Sequence, residues 1–276
     1  MKIGIIGLGL IGGSFARAIK EMTEHEVYAC EISESTLLAA KLVGAYDKEM
    51  TDENISECDM ILVSLYPEKA VEFIKARKEK IKKGAVVIDC CGVKRYVCDE
   101  MKKVIEDAQF TFVGGHPMAG TQSWGFNFSR ASMFKGASMI LTPYDDVTIE
   151  LLDKLKNFFL SLGFGGVKIT TDTEHDRIIA FTSQLPHVIS NAYVKSPEAK
   201  KQRGFSAGSY KDMTRISKLN SKMWAELFLE NKDFLADEID VLIENLKKYS
   251  STIREGDREK LEDLLEEGAE QKRIAK

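Results

Sequence analysis

Along the first 170 or so residues, short apolar runs alternate with longer segments whose apolar residues recur every three or four positions. The runs KIGIIG (2–7), EVYAC (26–30), DMILVSL (59–65), GAVVIDC (84–90), FTFVGG (110–115), ASMILT (137–142) and GVKIT (166–170) predict strands. The segments 12–21, 33–44, 67–81, 94–108 and 147–163 predict helices. Ser33 is suited to cap the second of these, and Pro67 opens the third, where a missing N–H costs nothing. Such alternation builds a mostly parallel sheet with helices on both faces. Beyond about residue 171 the strand runs stop. Residues 174–196 read as a helix kinked at Pro186. Residues 221–250 read as one long amphipathic helix, with Trp224, Leu227, Phe228, Leu235, Ile239, Leu242 and Leu246 on its apolar side, and 257–275 as a charged terminal helix. The expectation is an α/β domain over 1–171 and an all-α domain over 172–276. The long apolar stripe either covers its own small domain or meets a second copy of the chain.

Composition narrows the class. Hydrophobic residues make up 44% and charged residues 30%, ordinary for a soluble globular protein. The net charge of −4, without a basic block, argues against nucleic acid as the main partner. No run approaches the ~18 apolar residues of a membrane span. The apolar start is broken by glycines and lacks a small-residue cleavage site, which makes a poor signal peptide. The five cysteines are odd in number and show no C-x-x-C spacing, so reduced thiols in a cytoplasmic protein are expected, with no metal.

Gly7-x-Gly9-x-x-Gly12 follows the first strand and opens the first helix. Glycines there permit a tight turn and close approach to a pyrophosphate, which the helix N-terminus attracts. The stretch Gly7, Leu8, Gly9, Leu10, Ile11 and Gly12 is therefore the expected dinucleotide loop of a Rossmann-like domain. Glu31, ending the second strand, is placed to accept from ribose hydroxyls. A carboxylate there repels a 2′-phosphate, and Ile32 and Ser33 bring no cation, so NAD is favoured over NADP. Ligands lie beyond the carboxyl ends of parallel strands. The strand-end residues Ser64, Leu65, Tyr66 and Pro67, with Asp89 and Gly92, accordingly join the expected cofactor contacts. Asp89 paired locally with Lys94 is the equal alternative. In GGHPMAG (114–120), His116 stands in a strand-end loop beside the nicotinamide side. A histidine is the natural proton acceptor near neutral pH, and oxidising an alcohol requires one.

GLGLIGGS (7–14), GGHPMAG (114–120), HDR (175–177), LPH (185–187) and DMTRIS (212–217) occur together and in order. The combination resembles the prephenate dehydrogenase family of tyrosine biosynthesis, with its arogenate and cyclohexadienyl relatives. The resemblance covers nearly the whole chain. It implies oxidative decarboxylation of prephenate by NAD(P)+: hydride leaves the ring carbon bearing the hydroxyl, the ring carboxylate departs as CO2, and 4-hydroxyphenylpyruvate forms. It implies that His116 accepts the hydroxyl proton and that Arg215 helps bind the anionic substrate. His187 becomes a substrate-site histidine, and Trp224 a residue able to reach a neighbouring subunit's site.

The bland alternatives are an Arg215–Asp212 ion pair and a satisfied core histidine at 187. Two positions depart from the family pattern. Gly92 stands where many members have a serine that orients the substrate hydroxyl, so water, backbone or Thr121 is expected to substitute. Gln122 stands where many have an acid. The expected enzyme is a monofunctional homodimer joined through its C-terminal helices, acting on prephenate or arogenate. A 6-phosphogluconate or β-hydroxyacid type, which depends on a lysine base, and a silent NAD-binding sensor are the weaker alternatives.

Overall fold

The computed structural model describes residues 1–275; Lys276, the last residue of the expected helical domain, lies outside them. Strands β1 (Lys2–Ile6), β2 (Glu26–Cys30), β3 (Lys48–Glu49), β4 (Met60–Val63), β5 (Val86–Asp89), β6 (Thr111–Pro117), β7 (Ser138–Pro143) and β8 (Gly166–Ile169) form one sheet. Their order is β3-β2-β1-β4-β5-β6-β7-β8. β1 runs parallel to both β2 and β4, so the direction of winding reverses between β1 and β4. A crevice for ligand opens at such a point, beyond the carboxyl ends of the strands. The helices α1 (Leu10–Met22), α2 (Glu34–Leu42), α3 (Pro67–Arg77), α4 (Arg95–Ile105) and α5 (Ile149–Ser161) accompany the sheet.

Alternate residues of β1 serve opposite cores. Ile3 and Ile5 join Phe15, Ile19, Val27, Leu62 and Ile88, whereas Ile6 joins Tyr28, Ile61, Val63, Val87 and Phe112. With both faces covered, the strands read as continuous apolar runs rather than as alternation.

The sheet differs from expectation in two places. β3 is a two-residue edge strand of Lys48 and Glu49, too short and polar to leave a pattern. β6 and β7 pair antiparallel, with His116 opposite Ile140. The segment joining them holds two short 3-10 turns, Phe126–Phe128 and Ala131–Phe134, and not the full helix that usually carries a parallel crossover. β6 also runs through Pro117, so His116 lies in a strand and not in a loop after it.

After Ile169 the described chain is helical: α6 (Asp172–Ile179), α7 (Leu185–Tyr193), α8 (Gly208–Thr214), α9 (Ser221–Glu230), α10 (Lys232–Glu255) and α11 (Arg258–Ile274). In place of a simple kink at Pro186, a π-helical turn over Ala180–Gln184 precedes α7. Such a widened turn accommodates a chain whose proline gives no N–H. The expected long helix over 221–250 is two helices, broken at Asn231 (φ −120°, ψ 30°). Apolar periodicity continues across the break, which is why it reads as one element. The buried apolar cluster of this half is small: Ala180, Leu185 and Leu235, flanked by partly buried residues such as Phe228 and Leu242. All five cysteines are free thiols. No described helix is long and apolar enough to cross a membrane.

Candidate active site

The glycine loop is crowded behind and open in front. Gly7 has φ +83°, and a Cβ there would fall 2.8 Å from the Ser64 carbonyl oxygen. A Cβ on Gly12 would fall 1.9 Å from the Gly7 carbonyl oxygen. A Cβ on Gly9 would meet nothing within 4 Å. Gly9 caps α1 with no side-chain hydrogen bond, so no cap side chain takes up the first N–H groups of that helix. This arrangement fits a pyrophosphate. The apolar residues of the loop turn inward: Leu8 is fully buried, and Leu10 and Ile11 pack on the same core. Of the expected contacts at Leu8, Leu10 and Ile11, the loop thus offers chiefly backbone.

Glu31 bridges the loop to its own strand end, accepting from Leu8 N (2.8 Å) and Ser33 N (2.9 Å). Across the switch point, a Gly12 Cβ would touch Ser64, and a Gly7 Cβ would touch Leu65. Tyr66 is 43% exposed, and its hydroxyl accepts from Asn220 Nδ2 (3.3 Å), the residue capping α9. Pro67 is buried as the first residue of α3.

Of the two readings open for Asp89, the structure shows the ion pair. It and Lys94 form an ion pair with both side chains fully buried. Lys94 Nζ also donates to the Gly115 carbonyl (2.6 Å). Asp89 accepts from Cys91 N (3.0 Å) and Gly115 N (3.1 Å). Burial alone would lower the Lys94 ammonium, but the Asp89 carboxylate, with Cys91 and Cys98 beside it, raises it, and the group stays above its ordinary value. The pair ties the end of β5 to β6, and neither carboxylate oxygen is left for a cofactor. The glycines before His116 have a packing reason too: a Cβ on Gly115 would lie 2.6 Å from the Asp89 carbonyl oxygen.

His116 heads a relay that the sequence did not reveal. His116 Nδ1 lies 2.9 Å from His175 Nε2, and His175 Nδ1 lies 2.7 Å from Asp176 Oδ1. Asp176 is fully buried and also accepts from Lys94 N (2.7 Å) and Arg95 N (2.9 Å). A carboxylate with these donors only accepts, so the proton sits on His175 Nδ1. His175 Nε2 is then the acceptor, and His116 Nδ1 the donor. His116 Nε2 is left with a free lone pair on the side of Gly92, whose Cβ position lies 3.9 Å away. Burial, then His175, then Lys94 hold His116 well below the usual imidazole value, so the ring is neutral at neutral pH. The HDR triplet carries the two missed residues. A legible signal stood before it: Thr171 caps α6 through Glu174 N (3.1 Å), which sets His175 and Asp176 in the first turns.

The opposite wall comes from the helical half. His187 Nδ1 donates to the Ser183 carbonyl (2.7 Å) in the π-helical turn. Its ring lies over Trp224 at 4.0 Å between centroids and 32°. Trp224 therefore packs on its own chain's histidine. Burial lowers His187 from its ordinary value; the Ser183 carbonyl opposes this and the Arg215 charge adds to it. Arg215 is exposed at the end of α8, and among the described residues no carboxylate, Asp212 included, lies within ion-pair distance. Thr121 and Gln122 lie in an exposed loop, where the Thr121 hydroxyl donates to the Ser123 carbonyl (2.9 Å) and is not hydrogen-bonded to His116.

A buried polar knot joins the two walls. Asn231 Nδ2 donates to the Asp176 carbonyl (2.9 Å) and to Gln184 Oε1 (2.8 Å). Asn231 Oδ1 accepts from Arg95 Nη2 (2.9 Å), and Gln184 Nε2 donates to the Leu227 carbonyl (3.0 Å). Satisfying this fully buried asparagine accounts for the helix break at 231.

Comparison with known proteins bears on both halves. Residues 15–168 match the family model described as prephenate dehydrogenase, nucleotide-binding domain, and residues 171–267 the one described as prephenate dehydrogenase, dimerization domain. A cyclohexadienyl dehydrogenase of Zymomonas mobilis is 30% identical over 92% of this chain and 89% of its own length. A prephenate dehydrogenase of Bacillus subtilis is 27% identical over 93% of this chain and 71% of its own. Among solved structures, prephenate dehydrogenase from A. aeolicus in complex with hydroxyphenyl propionate and NAD+ superposes with a TM-score of 0.86 at 27% identity, covering 99% and 98% of the two chains. The likeness runs through sheet and helices alike and takes in His116 and the wall facing it, and on that ground the chain belongs to the prephenate dehydrogenase family.

Proposed function

We propose that this protein is an NAD-dependent dehydrogenase that oxidatively decarboxylates prephenate to 4-hydroxyphenylpyruvate, with His116 as the base. The observation that carries this reading is the chain Asp176–His175–His116, which ends in an unprotonated Nε2 at the carboxyl end of the sheet. NAD+ held by the glycine loop and the α1 N-terminus supplies the hydride acceptor. Glu31 favours NAD over NADP, because its carboxylate disfavours a 2′-phosphate.

Oxidation of the ring carbinol requires the hydroxyl proton to leave as the C–H electron pair departs. Neutral His116 takes that proton on Nε2, and Asp176 steadies the positive charge through His175. The electron pair of the bond to the ring carboxylate then flows through the ring, CO2 leaves, and the new phenol oxygen takes the proton back. Aromatisation drives the step. Arg215, with no carboxylate partner among the described residues, presents a planar fork to a substrate carboxylate. His187 and Trp224 give the facing wall a flat surface. The helical half, matched by a dimerization-domain model, carries exposed apolar residues on α10, and these support a homodimer.

The decisive assay follows reduced-nicotinamide absorbance with prephenate and with arogenate, each with NAD+ and NADP+. We expect the largest rise with prephenate and NAD+. A larger rise with arogenate would move the substrate to the amino compound, and no rise with either would overturn the reading.

A further inference from the structure

His116 Nε2 faces Gly92, which brings no side chain. The neighbouring space is filled from the other half of the molecule: both terminal methyls of Leu227 lie 3.6 Å from the Gly92 Cβ position, where His116 Nε2 lies at 3.9 Å. The surface beside the base is thus a pair of methyl groups. Leu227 is held from behind, since its carbonyl accepts from Gln184, which Asn231 grips, and Asn231 also grips the Asp176 carbonyl. One knot therefore fixes both the relay and this leucine.

Given the dehydrogenase reading, we propose that Leu227 is a positioning residue whose isobutyl group, with Gly92, forms a dry apolar seat beside His116 Nε2 and leaves the substrate hydroxyl one line of approach to the base. Few other groups govern the ring. His175 from α6 touches it, with Asp176 behind. Lys94, at the start of α4, lies near enough to act on its charge, paired with Asp89 of β5. On α9 the charged residues Glu226 and Glu230 act on one another and on Glu68 of α3, with Glu230 also near Asp176 and Lys94. The α9 group that meets the Nε2 side is apolar, and excluding water there disfavours the imidazolium.

Histidine NMR titration of the full-length protein tests the seat without turnover, with His116→Asn used to assign the resonance. In Leu227→Ala, water reaches Nε2 and the His116 titration moves up by about half a pH unit or more. The acid limb of kcat/KM moves with it, kcat/KM for the substrate falls about tenfold, and the KM for NAD+ is unchanged. Leu227→Met, which keeps the volume, restores the wild-type titration and rate. A His116 titration unmoved by Leu227→Ala, or moved equally by Leu227→Met, overturns the proposal. If the wild type turns over neither prephenate nor arogenate, the functional reading fails while the NMR result still decides the seat.

Discussion

In the sheet half, Asp89 and Lys94 are sealed from water and each meets several fixed partners, with apolar clusters on both faces of the sheet around them. In the helical half, the buried apolar cluster is three residues, and Gln184 and Asn231 hold the interior together through side-chain hydrogen bonds. Large apolar side chains stay in solvent there: Val241 is 58% exposed and Leu246 56%. His116, the proposed base, is seated on the sheet half, while His175 and Asp176, which set its tautomer, come from α6 of the helical half. The groups proposed to recognise substrate, His187, Arg215 and Trp224, sit on the half whose geometry rests on polar links and on whatever covers its apolar surface. On the proposed function, the proton acceptor and the recognition groups thus sit on two kinds of packing.

Experiments on both halves press on that division. The largest effect is expected at the base: His116→Asn should lower kcat by roughly 10²–10⁴ while NAD+ affinity, read by fluorescence titration, is kept. Turnover near wild type would remove the base from the sheet half. Next, His175→Asn takes away the acceptor that fixes the His116 tautomer, and a loss of about 10–10² in kcat is expected. In the wild type, kcat/KM should fall only below the ordinary histidine pH of ~6.5, because the neutral, active form of His116 persists to lower pH.

On the helical half, Arg215→Ala should raise the substrate KM about tenfold or more and spare that of NAD+. An unchanged KM would show that recognition lies elsewhere. The Val241→Glu, Leu246→Glu double variant should halve the mass seen in sedimentation while the sheet half stays folded by circular dichroism. An unchanged mass would place the partner surface off α10.

The smallest effect concerns Glu230, whose two carboxylate oxygens are buried without partners. Burial, then Glu226 and Glu68, push its pKa up from 4.5 to about 8. Between those values the folded protein holds a proton that the unfolded chain releases, so this group's contribution to stability falls as pH rises through that window. Glu230→Gln should therefore raise Tm by about 2–4 °C at pH 8.5 and change it little at pH 4. Equal shifts at both pH values would trace the gain to packing alone.

The strands other than β3, the helices of the first half and the glycine loop were legible because each is encoded within a few residues: apolar runs, caps, and glycines at a turn. His116 was legible as an isolated histidine near a strand end, although the strand runs on through it. The break at Asn231 was hidden, since apolar periodicity does not register one buried asparagine whose partners lie on α6, α4 and the π-helical turn. Asp89 was ambiguous from sequence, and burial decided for the ion pair.

The sequence alone placed every strand but β3, the helices of the first half and the dinucleotide loop, and singled out His116 as the proposed base, because hydrophobic period and turn chemistry act locally. Only the tertiary structure decided what supports that base. His116 and His175 are 59 residues apart, and Leu227 reaches Gly92 from the other half of the chain. A buried polar group takes its protonation and its orientation from neighbours that the fold, and not the chain, brings to it.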